Sequence, residues 1–411
     1  MKKWYGTVAA LLCVLLMMNC ARCCAEEIVP ADDMAFSVNG KEFTRQEYLE
    51  KVSLRSYDMS YAAYLTTGSE QNVTPSQAGY DVAYDMITEE IYAEKMAEMG
   101  LDVLTEEEEA AAREQGKNTY SQFNTYAMFY YQVPVSVLAY VYTGRDLQSE
   151  EDFVNENIRS TKTSRLFGAL TADVKLEESD GELLESTLHS LIDADKQSYA
   201  GAAAYAAAYN NGSVGEVFYA PEGVRYVKHV LLQFSEEEKA AISEAKKAVS
   251  AAEGEEAAIL AQADLDSVLK KAWERLRPLA EEIVSRACAG EDFDQLIAEY
   301  GEDPGMTREP FSVTGYALCA DYTGFDPVFL NAAMALEKPG DVADPAASDL
   351  YGFYIIRYMS DETSGERTME DVREAVESKA LEAKKNDQLT RIVNTWLEEA
   401  DIRLGAGFFF N

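Results

Sequence analysis

The sequence predicts an α+β protein, a mainly helical frame interrupted in its second half by a strand-containing module. Three observations carry this. Helix-start signals recur at five places, the C-terminal stretch repeats apolar residues at helical spacing, and VRYVKHVLLQF (224–234) and YGFYIIRYM (351–359) read as strands.

The first 25 residues carry Lys2 and Lys3, an apolar run over 8–18 and a small-residue end at Ala25, the layout of a secretory signal cleaved after Ala25. The run is too short for a membrane span, and no later stretch is long enough, so the mature chain is expected outside the cytoplasm with no transmembrane helix. Cys20, Cys23 and Cys24 offer an alternative, a lipobox cysteine and with it a membrane tether through an N-terminal lipid, although Asn19 and Arg22 are poor lipobox residues. Cleavage after Ala25 would leave Cys288 and Cys319, which form either one disulfide or two ordinary thiols.

Beyond this segment, Thr44…Glu47, Thr74-Pro75…Gln77, Thr105…Glu108, Ser235…Glu238 and Thr368…Asp371 fit capping boxes or close variants. In a capping box a hydroxyl satisfies one orphan amide at a helix start, and the acid or amide three residues on satisfies another. Residues 44–165 and 368–399 are therefore expected to be mostly helical. Gly100 is placed to end a helix as its C′ residue. The Ala-, Tyr- and Gly-rich stretch 196–222 reads as a helix ending near Asn210, followed by a linker through the Pro221-Glu222-Gly223 turn. Tyr205 and Tyr209 lie one helical turn apart, and with Tyr199 they suit packing against a neighbouring helix better than binding a partner. The acidic stretch 235–278 should form two or more helices broken around Gly254. In 368–402, Val372, Val376, Leu389, Ile392, Val393 and Trp396 recur at helical spacing.

With 36 basic against 73 acidic residues the formal charge is −37, which disfavours nucleic acid and anionic lipid as partners and suits basic or unfolded chains. Two histidines and two mature cysteines give no zinc-ligand spacing. Nucleophile-elbow and phosphate-loop motifs are absent, and no carboxylate pair stands out as a glycosidase dyad. No cofactor and no metal are expected.

VRYVKHVLLQF, with His229, is similar to the opening strand of parvulin-type peptidyl-prolyl isomerases. DFDQLIAEYGEDPGM (292–306) and FDPVFLNAAMALEKPGDV (325–342) follow in the family's order, and YGFYIIRYM resembles its closing strand. FSVNGKEFTRQEY (36–48) and the helix–Gly–helix rhythm of 87–115 resemble the start of SurA- and PrsA-type foldases, and the C-terminal helix resembles the element that packs back on it. The resemblance implies a parvulin-like domain, a small antiparallel sheet with helices, inserted in a mainly helical SurA/PrsA-like chaperone domain. The implied divisions are 1–25 signal peptide, 26–222 N-terminal helical domain, 223–360 parvulin-like domain with a helical insert at 235–278, and 361–411 C-terminal helix. A typical parvulin has a shorter connection there, and such an insert can grow out of a loop at small entropic cost, so it need not disturb the core.

The same resemblance assigns a catalytic cluster to His229, Asp303 and Tyr354. Gly301 stands where the family usually has Ser, and Tyr354 where it has a second histidine. Asp303 would orient His229, and Tyr354 can donate and accept one hydrogen bond but lacks the two opposed nitrogens of an imidazole. Phe325, Phe329 and Met334 match the substrate-binding wall. Phe325 fits pocket and core equally, Phe329 also suits helix-to-sheet packing, and Met334 falls at a core position. The family's glycine-rich loop is reduced here to Gly315-Tyr316. The function implied is an extracytoplasmic foldase that binds unfolded or proline-containing polypeptides and isomerises X-Pro bonds. Its alternatives are a non-catalytic holdase that keeps the domain as a peptide-binding module, and an interaction or scaffold protein of the cell envelope.

Overall fold

The computed structural model describes residues 34–69, 73–405 and 408; the expected signal segment and its lipobox alternative lie outside them. The described chain is mostly helical with small antiparallel sheets. It divides into two compact units, one of residues 1–175 with 381–411, the other of residues 176–380. Among the described residues no helix is long and apolar enough to cross a membrane.

In the first unit, β1 (Met34–Val38) and β2 (Lys41–Thr44) form a hairpin that feeds α1 (Arg45–Thr67), whose cap Thr44 accepts from the Glu47 amide. Full capping boxes start α2 (Pro75–Glu98) at Thr74/Gln77 and α3 (Glu106–Tyr126) at Thr105/Glu108. Gly100, at φ 67°, closes α2 in the left-handed conformation. A π-helical turn, Ala127–Tyr131, leads to α4 (Val135–Thr143), and α5 (Glu150–Leu170) opens on a further box, Ser149/Asp152. Phe36, Tyr48, Val82, Ile87 and Ile91 centre one core. Arg55, 3 % exposed, spans the unit's interior, pairing with Asp146 at 2.7 Å, with Asp85 at 2.9 Å and with Asp81.

The second unit opens with α6 (Gly181–Ser198) and α7 (Ala202–Asn210). Tyr205 is buried against Val224, Tyr226 and Ala317 and its ring stacks on Tyr209, so these tyrosines serve packing. Then come β3 (Tyr219–Ala220) and the long β4 (Arg225–Gln233). The insert forms α8 (Glu236–Ala251), breaks at Gly254 with φ 89°, and resumes as α9 (Glu255–Cys288). The chain continues through α10 (Phe293–Tyr300), the short α11 (Phe311–Thr314), β5 (Tyr316–Leu318), α12 (Pro327–Met334), β6 (Ala346–Ala347), β7 (Gly352–Asp361) and β8 (Gly365–Glu366). Strand order in the main sheet is β5-β4-β7-β6, and all pairs are antiparallel. The expected module 223–360 lies within this unit, which also holds α6, α7 and the stretch after 360.

Period-two alternation sorts β4 and β7 onto two faces. Val230, Leu232, Phe353 and Ile355 face α9 and α10, while Val227, Leu231, Tyr354 and Ile356 face α12. The insert does not stand apart as a loop outgrowth. Ile242, Ala245, Leu265 and Leu269 are buried in the cluster that holds Phe353 and Ile355.

The last long helix, α13 (Met369–Glu399), kinks at Val372. Its residues up to 380 belong to the second unit, where Val372 and Val376 pack with Leu188 and Ile192. Val393 and Leu397 join the first unit's core, and β9 (Ile402–Leu404) pairs with β1 to complete the sheet β2-β1-β9. Cys288 is exposed, Cys319 is buried, and both are free thiols.

Candidate functional site

His229 sits mid-strand on β4, paired with Ile356 of β7, on the α12 side of the sheet. Asp303 follows α10. This loop is tied to β4 by the Glu302 amide, which donates to the Leu231 carbonyl at 3.0 Å. The Asp303 carboxylate caps the next turn by accepting from the Gly305 amide at 2.8 Å. Its other oxygen lies 3.3 Å from His229 Nε2 and accepts from the Tyr316 hydroxyl at 3.0 Å. Burial works against ionisation of Asp303, but His229, the Gly305 amide and the Tyr316 hydroxyl hold its carboxyl below the usual range. A carboxylate facing Nε2 favours the Nε2–H tautomer and leaves Nδ1, buried and without a hydrogen-bond partner, as the bare nitrogen.

Gly301 has a local reason. Its amide caps α10 on the Ile297 carbonyl at 2.8 Å, and a Cβ there would lie 2.5 Å from that oxygen, so the serine usual in the family has no room. Gly315, at φ 92°, is equally constrained: a Cβ would meet the Val227 carbonyl at 2.3 Å. This close approach sets Tyr316 on the edge strand beside His229.

Four rings enclose the imidazole. Phe329 and Tyr354 meet it edge-on at 5.0 and 5.6 Å, Tyr316 stacks at 5.8 Å, and Phe325 packs on Tyr316 and Phe329 at 5.0 and 5.4 Å. His229 is 3 % exposed, Phe329 2 % and Tyr354 6 %. Tyr322 covers Phe325 at 5.5 Å. Met334, half-buried at the end of α12, belongs to the same apolar cluster but makes no ring contact with His229. Arg225 fixes that helix end by donating to the Ala333 and Leu336 carbonyls at 3.1 and 2.9 Å.

The structure thus brings His229, Asp303, Phe325, Phe329 and Tyr354 together, with Met334 at the margin. The Tyr354 hydroxyl has no hydrogen-bond partner among the described residues; Tyr354 touches the cluster through its ring. Burial, and secondarily the charges of Asp326 and Asp303, push that hydroxyl's pKa up, so it stays protonated. The hydroxyl that joins the Asp303 network is Tyr316. Sequence reasoning placed Gly315-Tyr316 in the family's loop but gave Tyr316 no role, because a two-residue remnant does not show which way a ring points. Among the described residues no cluster of His, Cys, Asp and Glu could hold a metal ion. A cavity of about 520 Å³ lies elsewhere in this unit, lined by Phe234, Ile242, Lys246 and Leu350, and includes none of these residues.

No protein-family model matches the chain. Foldase protein PrsA 3 of Bacillus anthracis is 27% identical over 134 residues, 32% of this chain and 45% of that protein. Chaperone SurA of Pseudomonas fluorescens is 28% identical over 125 residues, 30% of this chain and 27% of that protein. Each match spans less than half the length of the relative. Among solved structures, PrsA from Bacillus cereus aligns over 92% of this chain and 96% of its own at 15% identity, with a TM-score of 0.21. PrsA from Streptococcus pneumoniae aligns over 88% and 91% at 14% identity, with a TM-score of 0.26.

Proposed function

The chain is PrsA/SurA-like in sequence over about a third of its length, and on that premise we propose that it is an extracytoplasmic foldase that binds unfolded exported polypeptides and isomerises their X-Pro bonds. In this reading residues 223–360 are a parvulin-like module inserted between two parts of a helical chaperone domain, 26–222 and 361–411. His229, Asp303 and Tyr354 form its centre, with Tyr316 as the hydroxyl that holds Asp303. Phe325, Phe329 and Met334 line the place for the prolyl ring. An N-terminal lipid is the proposed alternative to free secretion.

The observation that carries the reading is the His229–Asp303–Tyr316 network set under a floor of aromatic rings. Rotating an X-Pro amide loses resonance over a barrier of about 18–20 kcal/mol, and no bond is broken. The protein has to grip the ring, exclude water and present fixed dipoles to the twisted amide. Each tenfold acceleration needs about 1.4 kcal/mol of selective transition-state binding. In a dry site, dipoles held as rigidly as Asp303 is held by Gly305 and Tyr316 act without reorganising.

One observation favours the non-catalytic holdase as a second reading. The imidazole is 3 % exposed and ringed by Tyr316, Phe329 and Tyr354, so a substrate ring reaches it only if part of this cluster moves aside. The two readings separate in a client whose refolding is limited by proline isomerisation. In the enzyme reading His229→Ala slows that phase by about tenfold or more and leaves suppression of client aggregation intact. If wild type suppresses aggregation but never speeds the slow phase, the holdase stands instead.

A further inference from the structure

From Asn118 to Gly144 the chain runs 27 residues without a charged side chain, although 27% of the whole sequence is charged. Within this run the π-helical turn Ala127–Tyr131 is anchored only by Ala127, and Gln132, at φ 55°, ends it in the left-handed conformation. The side chains that follow the anchor therefore project. Phe129 and Tyr130 are each 73 % exposed, Met128 60 %, Tyr126 53 %, Tyr131 46 % and, on α4, Tyr142 64 %. The rings are neighbours: Tyr126 and Tyr130 are 5.4 Å apart, and the Tyr131 hydroxyl is near enough to that of Tyr142 to raise its pKa. A second strip adjoins them on α1, where Tyr57, Tyr61 and Tyr64 form a ladder at 5.9 and 6.1 Å. Tyr61 packs into the apolar cluster that holds Ala127 and Val133, so the strip and the turn are one surface.

A monomer has no folding reason to expose this many large rings together, and contiguous exposed apolar surface marks interaction sites. We propose that this tyrosine-rich face of the first unit docks uncharged, aromatic- or aliphatic-containing stretches of unfolded polypeptide, an assignment that rests on the client-binding reading. Three features select that occupant. Closing the face against a charged segment would strip water from a charge for which the run offers no counter-charge. The face also lacks the lysines and arginines that hold a protein on anionic lipid, and the chain's charge of −37 repels such a surface, as it repels a second copy. Tyrosine supplies ring area with a hydroxyl at its tip, which suits a peptide backbone with unpaired donors and acceptors and is wasted on hydrocarbon.

The test uses the purified chain, the double variant Phe129→Ser/Tyr130→Ser, and the single variant Tyr130→Ser in case the pair disturbs folding. Both side chains lie mostly in water, so thermal melting should be unchanged. The probe is a fluorescent uncharged peptide of Tyr, Leu, Ser and Gly, with an acidic peptide of equal length as control. The expected result is peptide binding by wild type, weakened about tenfold or more in the double variant, and no binding of the acidic control. Equal affinity in wild type and both variants overturns the site. So does a defect confined to binding neutral phosphatidylcholine vesicles, or one confined to self-association in sedimentation, with peptide binding intact. If wild type suppresses client aggregation and the variants do so equally, the site is wrong and the chaperone reading survives. If wild type neither binds the peptide nor suppresses aggregation, both fall.

Discussion

Asp58 is a carboxylic acid with no exposed surface, set one turn after Arg55 on α1. The Ser136 hydroxyl donates to one oxygen at 2.9 Å, and the other has no hydrogen-bond donor. Burial, followed by the nearby Asp146 carboxylate, outweighs Ser136 and Arg55 and pushes its pKa up to about 7. Asp81 and Asp146 are raised as well, each chiefly by burial. An unfolded Asp titrates near 3.9, so between about pH 4 and pH 7 the folded state holds a proton that the unfolded state has released. The stabilisation is fully present below about pH 4, falls as pH rises toward 7 and is gone above it. Asp58→Asn should therefore flatten the first unit's stability over that window, by roughly 2–4 kcal/mol. Urea unfolding at pH 4.5, 6 and 8 measures it, and an unchanged pH slope in the variant would contradict the assignment. None of this was visible in the sequence. The spacing of Arg55 and Asp58 reads as an ordinary solvated helix face, and only the packing of α2, α4 and the loop at Asp146 buries it. His229 and Asp303 were legible because strand and loop motifs flank them. Tyr316 was not, because its role depends on the close approach of Gly315 to β4.

Among the elements, helix starts are the most legible in the sequence. A capping box is local chemistry, and Thr74, Thr105 and Ser235 cap as their spacing predicts. The break at Gly254 was equally local. The insert's expected end at 278 is not a helix end: α9 runs through Pro278 to Cys288. An interior proline costs about 3 kcal/mol, whereas each buried Leu or Ile contributes roughly 1.5–3 kcal/mol. Leu265, Leu269, Leu276 and Ile283 all lie in the core, so tertiary packing wins. The pairing of β5 with β4 turns on a single glycine. Gly315→Ala forces a Cβ against the Val227 carbonyl at a positive φ, and should cost roughly 1–3 kcal/mol in chemical denaturation. It should also displace Tyr316 from Asp303. Unchanged stability would show that the β4–β5 approach is looser than drawn.

At the scale of the whole molecule, the sequence placed a strand-bearing module inside a helical frame. It could not show that α7 packs on that module, since its contacts with Tyr226 and Ala317 are long-range. The fragment 176–380 closes its own cores, and we expect it to fold alone with one cooperative transition and dispersed amide signals. A molten fragment would contradict this division of the chain.

The central claim is that the enclosed His229–Asp303 pair still serves prolyl isomerisation, and exchange NMR on an Ala-Pro peptide tests it most directly. Wild type should speed cis–trans exchange above the uncatalysed rate, His229→Ala should bring it close to that rate, and Tyr354→His should raise it by adding the second imidazole. Exchange at the uncatalysed rate in both wild type and Tyr354→His would contradict the enzyme reading and leave a binding module in its place.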